Sequence, residues 1–166
     1  MIIRNIETED LNRAQEIYDC ARLFMRNHDN KNQWNSSYPG RDIIEKDIEN
    51  KTGYIISENN ITVGVFALLF GEDPTYKIIE EGSWLNDKPY ETIHRIASDG
   101  TCRGILKTAV EYALAFEENI RIDTHHDNYV MQNALTKLGF KRCGIIYLEN
   151  GDPRIAFQLL KENYNG

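Results

Sequence analysis

The segment from Thr92 to Thr108 constrains the fold of this chain more than any other. An apolar strand runs into a short loop that contains Gly100, Arg103 and Gly104, and the loop leads directly into an amphipathic helix. This order directs unpaired backbone N–H groups and a helix N-terminus towards one point, which is how many proteins hold a phosphate group. The segment therefore predicts an anion site between a strand and the helix that follows it.

Length and composition favour one globular domain over residues 1–166. The 166 residues are enough for a sizeable core, and 41% hydrophobic residues favour a packed globule over disorder. Nineteen basic and 26 acidic residues give a net charge of −7. This charge disfavours nucleic acid and anionic membranes as partners and suits a cationic substrate such as an amine. The alternative is that the charge only keeps the protein soluble.

Cysteine usage and hydropathy indicate a cytoplasmic protein. Cys20, Cys102 and Cys143 are odd in number and far apart, which suits reduced thiols better than a disulfide framework or a zinc site. No basic segment followed by a long apolar run opens the sequence, so we expect no signal peptide. The longest apolar run, Val63–Phe70, has the length of a buried strand rather than of a membrane span.

Apolar periodicity predicts a mixed order of hairpins and strand–helix–strand crossovers. Strands are predicted at 2–6, 54–57, 61–70, before the loop at Gly100, 119–124, 140–149 and 154–160. Helices are predicted after the caps Thr8 and Asp127, at 41–50 and from Ile105 onwards. A long, turn-rich connection covers 71–90, and connections of that length are usually functional. Together these patterns predict one α/β domain with a mixed sheet.

Order and spacing over nearly the whole chain resemble the GNAT-type N-acetyltransferase superfamily. Ile96-Ala97-Ser98 is similar to the end of the family's central strand, and the run from Arg103 to Thr108 is similar to its pyrophosphate loop. Leu138-Gly139-Phe140 is similar to the end of its last helix. The resemblance implies an α/β (α+β) fold with a mixed central sheet of about seven strands, flanked by helices, whose splayed parallel pair forms the cofactor cleft.

The resemblance also implies acetyl-coenzyme A (acetyl-CoA) as cosubstrate. Backbone groups of Ile96 and Ser98 would pair with the pantetheine arm, and an N–H near Ala97 would polarise the thioester carbonyl. Asn128, at the start of the last helix, would contact the pantetheine arm or the region near the thioester. The pyrophosphate would be bound by the backbone amides of Arg103, Gly104, Ile105, Leu106, Lys107 and Thr108.

Two departures from the family pattern leave an alternative function open. The family's loop glycines correspond here to Leu106 and Thr108, whose side chains narrow the cradle but leave the backbone donors in place. The tyrosine that many relatives use as general acid corresponds to Leu135. The alternative to an enzyme is therefore a non-catalytic CoA-binding sensor or interaction module with the same fold.

Two residues are candidates for proton transfer during direct attack of an amine on the thioester. His94 is the candidate base, because an imidazole with a pKa of ~6.5 suits proton transfer and the strand places it on one face with Ile96 and Ser98. Tyr147, on the penultimate strand, is the candidate acid. The alternatives are a hydrogen-bonded strand histidine and a tyrosine of the core or rim.

The acceptor is expected to be the amine of a small molecule or a peptide. Trp34, Tyr38 and Trp84 are candidates for the acceptor pocket, with core packing as the alternative. Glu81, beside Glu80, is a candidate for attracting a cationic substrate, with a solvated loop charge as the alternative. A homodimer through the C-terminal strands is a possibility that the family suggests.

No metal site is expected. His125 and His126 are adjacent in sequence, and adjacent side chains on a strand point to opposite faces of the sheet. No third ligand follows at a suitable spacing, and Asp127 is explained as the cap of the last helix.

Overall fold

Seven strands form one mixed sheet in the computed structural model, which describes residues Met1–Gly166. The strands are β1 (Ile2–Asn5), β2 (Gly53–Glu58), β3 (Ile61–Phe70), β4 (Glu91–Ser98), β5 (Asn119–Thr124), β6 (Lys141–Tyr147) and β7 (Pro153–Leu160). Their order is β1-β2-β3-β4-β5-β7-β6, and only the central pair, β4 and β5, is parallel. The predicted fold class is confirmed.

Four helices cover the two faces of the sheet: α1 (Leu11–Asn27), α2 (Arg41–Glu49), α3 (Ile105–Ala113) and α4 (Tyr129–Lys137). Ile55 of β2 packs with α1 and α2, whereas its neighbours Tyr54 and Ile56 belong to the core that contains α3. Because successive strand residues point to opposite faces, α1 and α2 lie on one face and α3 on the other. No helix in the structure is both long enough and apolar enough to span a membrane.

Two predicted helix starts are wrong by a few residues. Thr8 does not cap α1, because Thr8–Asp10 form a short 3-10 turn and Asp10 is the residue that precedes the helix. Asp127 does not cap α4. The side chain of Asn128 does so, since its Oδ1 accepts a hydrogen bond from the Met131 N–H at 3.1 Å.

A bulge in β4 opens the centre of the sheet. Ala67 of β3 pairs with His94 and Val65 with Ala97, so β4 has one residue more than β3 over this stretch. Arg95 absorbs the extra residue with a φ of 51°. Beyond Thr92 no further pairs join β4 to β5, so the two strands diverge and a cleft begins there.

The bulge also changes which β4 side chains share a face. Val65 and Ala67 lie on one face of β3, and their partners Ala97 and His94 therefore lie on that face too. The expectation that His94 shares a face with Ile96 and Ser98 is wrong, because strict alternation ends at the extra residue.

Candidate active site and cofactor cleft

The N-terminus of α3 presents a row of unpaired backbone amides. Gly104 precedes the helix with a φ of 84°, a left-handed conformation that glycine adopts without strain. The N–H groups from Arg103 to Lys107 donate no hydrogen bond, whereas the Thr108 N–H donates to the Gly104 carbonyl at 2.8 Å. The expected donor role of Thr108 is therefore wrong, because its amide is the first that reaches back to the cap. The other five predicted amides are available to an anion.

A cavity of about 330 Å³, the cofactor cavity, lies between α1, the end of β4 and the starts of α3 and α4. Its walls are mostly apolar, and α1 contributes Cys20 and Phe24, which the sequence did not suggest. Leu106 forms part of the wall, and the amides of α3 next to it stay unpaired. Six of the predicted cofactor residues line the cavity: Ile96, Ala97, Ser98, Ile105, Leu106 and Asn128.

Asn128 connects the cofactor cavity to the loop between α1 and α2. Its Oδ1 caps α4, and its Nδ2 donates a hydrogen bond of 2.8 Å to Oε1 of Gln33. Both polar atoms of Asn128 therefore already have a protein partner.

A second and larger cavity of about 730 Å³, the acceptor cavity, adjoins the first. Met25, Ile96 and Met131 line both cavities, so the two cavities lie side by side and share one wall. The acceptor cavity contains His94 together with Trp34 and Tyr38 from the loop before α2. The two rings pack edge to face, with centroids 6.0 Å apart.

His94 is oriented by a half-buried carboxylate. Its Nε2 lies 2.8 Å from Oδ2 of Asp73. Burial alone would raise the pKa of Asp73, but hydrogen bonds from His94 and Thr75 outweigh burial and lower it to about 2. Since an ionised carboxylate can only accept, Nε2 of His94 carries a proton, and in the neutral form of the ring Nδ1 is the hydrogen-bond acceptor.

A second carboxylate faces that free nitrogen. Oδ2 of Asp123, on β5, lies 3.9 Å from Nδ1 of His94 and accepts a hydrogen bond of 2.7 Å from the Tyr76 hydroxyl. Burial, followed by the charge of Asp123, raises the pKa of Tyr76 well above its usual value, so the phenol stays protonated. Nδ1 and Asp123 are both acceptors, and the gap between them suits one donor that bonds to both.

Arg95, the residue of the bulge, is tied to α2. Its Nη2 donates to both oxygens of Asp47, at 2.7 and 2.9 Å. Burial would lower the pKa of Arg95, but the charge of Asp47 outweighs burial and raises it. The guanidinium therefore stays charged and holds the bulge at a fixed position beside the acceptor cavity.

Among the predicted catalytic and acceptor-pocket residues, three lie outside both cavities. Tyr147 is 41% exposed and donates a hydrogen bond of 3.0 Å to Glu80, and Glu81 is exposed. Trp84 packs on Tyr76 and over the guanidinium of Arg121, in a separate cluster under the connection 71–90. The structure does not bring these residues to His94.

The turn after β5 brings together three side chains of metal-binding type. The ligand atoms of His125, His126 and Asp127 all lie within 4.8 Å of one another, and the two histidine rings are 4.2 Å apart. The expectation that the histidines point to opposite faces is wrong, because both lie beyond Thr124, where the strand ends.

The sequence did not single out Asp73, Tyr76 or Asp123. For Asp123 a signal existed, because β4 and β5 are parallel neighbours and polar residues near their carboxyl ends lie close together. For Asp73 and Tyr76 no local pattern exists, since both come from the long connection and reach His94 only through tertiary packing.

Solved acetyltransferase structures resemble this one. A GNAT-family acetyltransferase from Streptococcus agalactiae 2603 is 30% identical, with a TM-score of 0.86 over 96% of this chain and 95% of its own. A ribosomal-protein-alanine N-acetyltransferase from Brucella melitensis is 15% identical, with a TM-score of 0.65 over 96% of this chain and 99% of its own. The GNAT-like decarboxylase GphF, in complex with isobutyryl-CoA, is 13% identical, with a TM-score of 0.60 over 97% of this chain and 100% of its own. No protein-family model and no curated protein sequence matches the chain.

Proposed function

Because this chain belongs to the GNAT acetyltransferase family, whose fold binds acyl-CoA, we propose that it transfers the acetyl group of acetyl-CoA to a primary amine. One observation carries this proposal. The cavity beside the unpaired amides of α3 shares a wall with a second cavity, which is lined by a histidine whose Nε2 is held by a carboxylate.

The cofactor would lie along the diverging edge of β4. The amides from Arg103 to Lys107 and the dipole of α3 would bind the pyrophosphate. Since β5 pairs only with Glu91 and Thr92, the edge of β4 at Ile96–Ser98 is open to the pantetheine arm, which would pair with it as a short extra strand. The thioester would then lie where the two cavities meet, near Ile96.

The charge of the acceptor cavity supports an amine as the acceptor. Four carboxylates line this cavity, those of Asp73, Asp123, Glu149 and Asp152, and they favour entry of the amine as an ammonium ion. An ammonium nitrogen that lies to one side of the 3.9 Å gap between Nδ1 of His94 and Oδ2 of Asp123 would reach both atoms with separate N–H groups.

The reaction would follow from this placement. Nδ1 of His94 takes one proton from the ammonium, and the neutral amine attacks the thioester carbonyl carbon. As the C–N bond forms and the C–S bond breaks, the nitrogen gives up a second proton, which the departing CoA thiolate takes. The products are therefore the acetamide and the CoA thiol, with the first proton on His94 and with no covalent enzyme intermediate. A backbone N–H near Ala97 would stabilise the developing oxyanion.

The leaving thiolate would need no protein acid. Leu135, at the position of the family's tyrosine, is fully buried in the core, and Tyr147 lies outside the cavity. A thiol with a pKa of ~8.5 is a tolerable leaving group near neutral pH without general acid catalysis. We therefore assign no proton transfer to Tyr147.

The test is a turnover assay with acetyl-CoA and a panel of primary amines, in which free thiol is followed over time. We expect thiol release that depends on the amine, together with an acetylated product of matching mass. Thermal shift measures cofactor binding separately, since a ligand at ~100 times its Kd adds ~2.7 kcal/mol. Stabilisation by CoA without amine-dependent thiol release would instead support the non-catalytic binding module, and no stabilisation by CoA would exclude both.

A further inference from the structure

Arg154, the second residue of β7, is a buried cation without a counter-ion. The residue is only 5% exposed and lines the acceptor cavity. Its guanidinium donates to two main-chain carbonyls, that of Pro153 at 2.9 Å and that of Gln33 at 3.2 Å. No carboxylate lies within salt-bridge distance of it, and no aromatic ring stacks on it.

The other two inward-facing arginines are compensated. Arg95 forms an ion pair with Asp47, in which Nη2 donates to both carboxylate oxygens. Arg121 lies between the rings of Trp84 and Tyr90, with its Cζ 4.0 and 3.9 Å from their centroids. Burying a charge without such a partner is costly, and a ligand that supplies the missing counter-ion would offset this cost.

The position of Arg154 is fixed by its surroundings. One of the two carbonyls that Arg154 contacts belongs to Gln33. The side-chain oxygen of Gln33 accepts hydrogen bonds of 2.8 Å from both Asn30 and Asn128. Two of the five guanidinium N–H donors are used by the carbonyls, which leaves three for a ligand. The donor set is therefore preorganised at one wall of the acceptor cavity.

We propose that Arg154 binds the carboxylate of the acceptor, so that the enzyme acetylates a zwitterion of the amino-acid type. This inference rests on the proposed function. The ammonium group would lie between His94 and Asp123, and the carboxylate would bind the guanidinium at the β7 side of the same cavity.

The charges in the cavity favour a carboxylate over a phosphate. Glu149 and Asp152, which precede Arg154 in the sequence, also line the cavity. The charge of Arg95 is already neutralised by Asp47. A dianionic phosphate would meet this acidic lining with a single free cation, whereas a carboxylate carries one charge and matches the fork of the guanidinium.

The test uses the wild-type enzyme and matched acceptor pairs. Each L-amino acid is compared with the amine that it would yield on decarboxylation and with its methyl ester. We expect kcat/KM for the amino acid to exceed that of both partners by about ten- to a hundredfold, the range for a hydrogen-bonded charge. Equal values within each pair would overturn the proposal, and so would a preference for O-phosphoethanolamine over every amino acid.

Arg154→Gln sharpens the result. We expect the variant to lose the preference for the carboxylate, so that its kcat/KM for each amino acid falls by about ten- to a hundredfold, to the level of the matched amine. Arg142→Gln, an exposed arginine on β6, is the matched control and should retain the preference. If Arg154→Gln does not fold, the comparison of amino acids with their amines and methyl esters on the wild-type enzyme still tests the proposal. Absence of turnover with every amine would instead reject the proposed function itself.

Discussion

The cofactor cavity and the acceptor cavity adjoin each other but are built differently. The anion site beside the first consists of backbone amides from one short stretch, Arg103 to Lys107. The second depends on side chains that are far apart in sequence, among them Trp34, Asp73, His94 and Asp123. The first site relies on backbone geometry, and the second relies on the identity of individual side chains.

This difference explains how the phosphate loop tolerates unusual residues. Leu106 occupies a position where the family has glycine, and its amide is unpaired because it lies in the first turn of α3. The change of residue does not remove this donor, because every non-proline residue carries the same N–H group. No such freedom exists for His94, since only an imidazole held by a carboxylate leaves a neutral nitrogen free to accept a proton. Side-chain substitutions should therefore be tolerated beside the amides of α3, whereas they should reduce activity in the acceptor cavity.

The largest effect is expected for His94→Ala. Loss of the proton acceptor should lower kcat by about 10²- to 10⁴-fold, the usual contribution of general base catalysis. The Kd of CoA should not change, because His94 does not line the cofactor cavity. Steady-state kinetics and calorimetric titration with CoA measure the two quantities.

Asp73→Asn is the companion variant. It keeps the shape of the side chain but lets the amide either donate to or accept from Nε2, so the proton is no longer fixed on that nitrogen. An intermediate loss of kcat is expected. If both variants turn over at the wild-type rate, His94 is only a packed histidine of β4.

A smaller effect, this time on binding, is expected for Lys107→Pro. Proline is tolerated in the first turn of a helix but removes one of the unpaired amides. We expect the Kd of CoA to rise roughly ten- to a hundredfold, as for one hydrogen bond to a charged group. Lys107→Ala is the control, because it loses the same exposed side chain and keeps the N–H group. Equal affinity of the two variants would show that this amide does not contact the pyrophosphate.

The contrast between a site built from backbone amides and one built from distant side chains also explains which features the sequence could predict. The order of strands and helices and an anion site at the start of α3 followed from local patterns, because backbone geometry is repeated along the chain. The cleft at the parallel pair and the individual amides followed from the resemblance to the family. The face of the sheet on which His94 lies could not be predicted from local patterns, because the bulge at Arg95 depends on the pairing with β3 and on the ion pair with Asp47.

Side-chain partners across the fold were the least predictable part. Asp73 lies 21 positions before His94, in a connection without regular structure over most of its length. Trp84 was expected in the acceptor pocket because it is a large aromatic residue, yet it packs on Arg121 instead. Composition shows which groups are present, whereas only the tertiary packing decides which groups meet.

The smallest effect on activity is expected at a carboxylate that belongs to neither cavity. Glu91, at the start of β4, is 3% exposed, and its Oε2 has no hydrogen-bond partner. Burial, and then the charge of Glu117, raises the pKa of Glu91 to about 7. The folded state therefore binds this proton more tightly than the unfolded state does, so the free energy of unfolding falls as pH rises from about 4.5 to 7 and is level above that range.

Glu91→Gln should remove this decline and leave catalysis unchanged. Each pK unit corresponds to about 1.4 kcal/mol and each kcal/mol to about 2–4 °C in Tm for a chain of this size. The wild-type Tm should therefore fall by about 5–10 °C more than that of the variant between pH 5 and pH 8. The pH profile of kcat should be the same in both proteins, because Glu91 lines neither cavity. A different kcat profile in the variant would mean that ionisation of Glu91 changes the reaction rate. The pH dependence of kcat would then not come from the acceptor cavity alone.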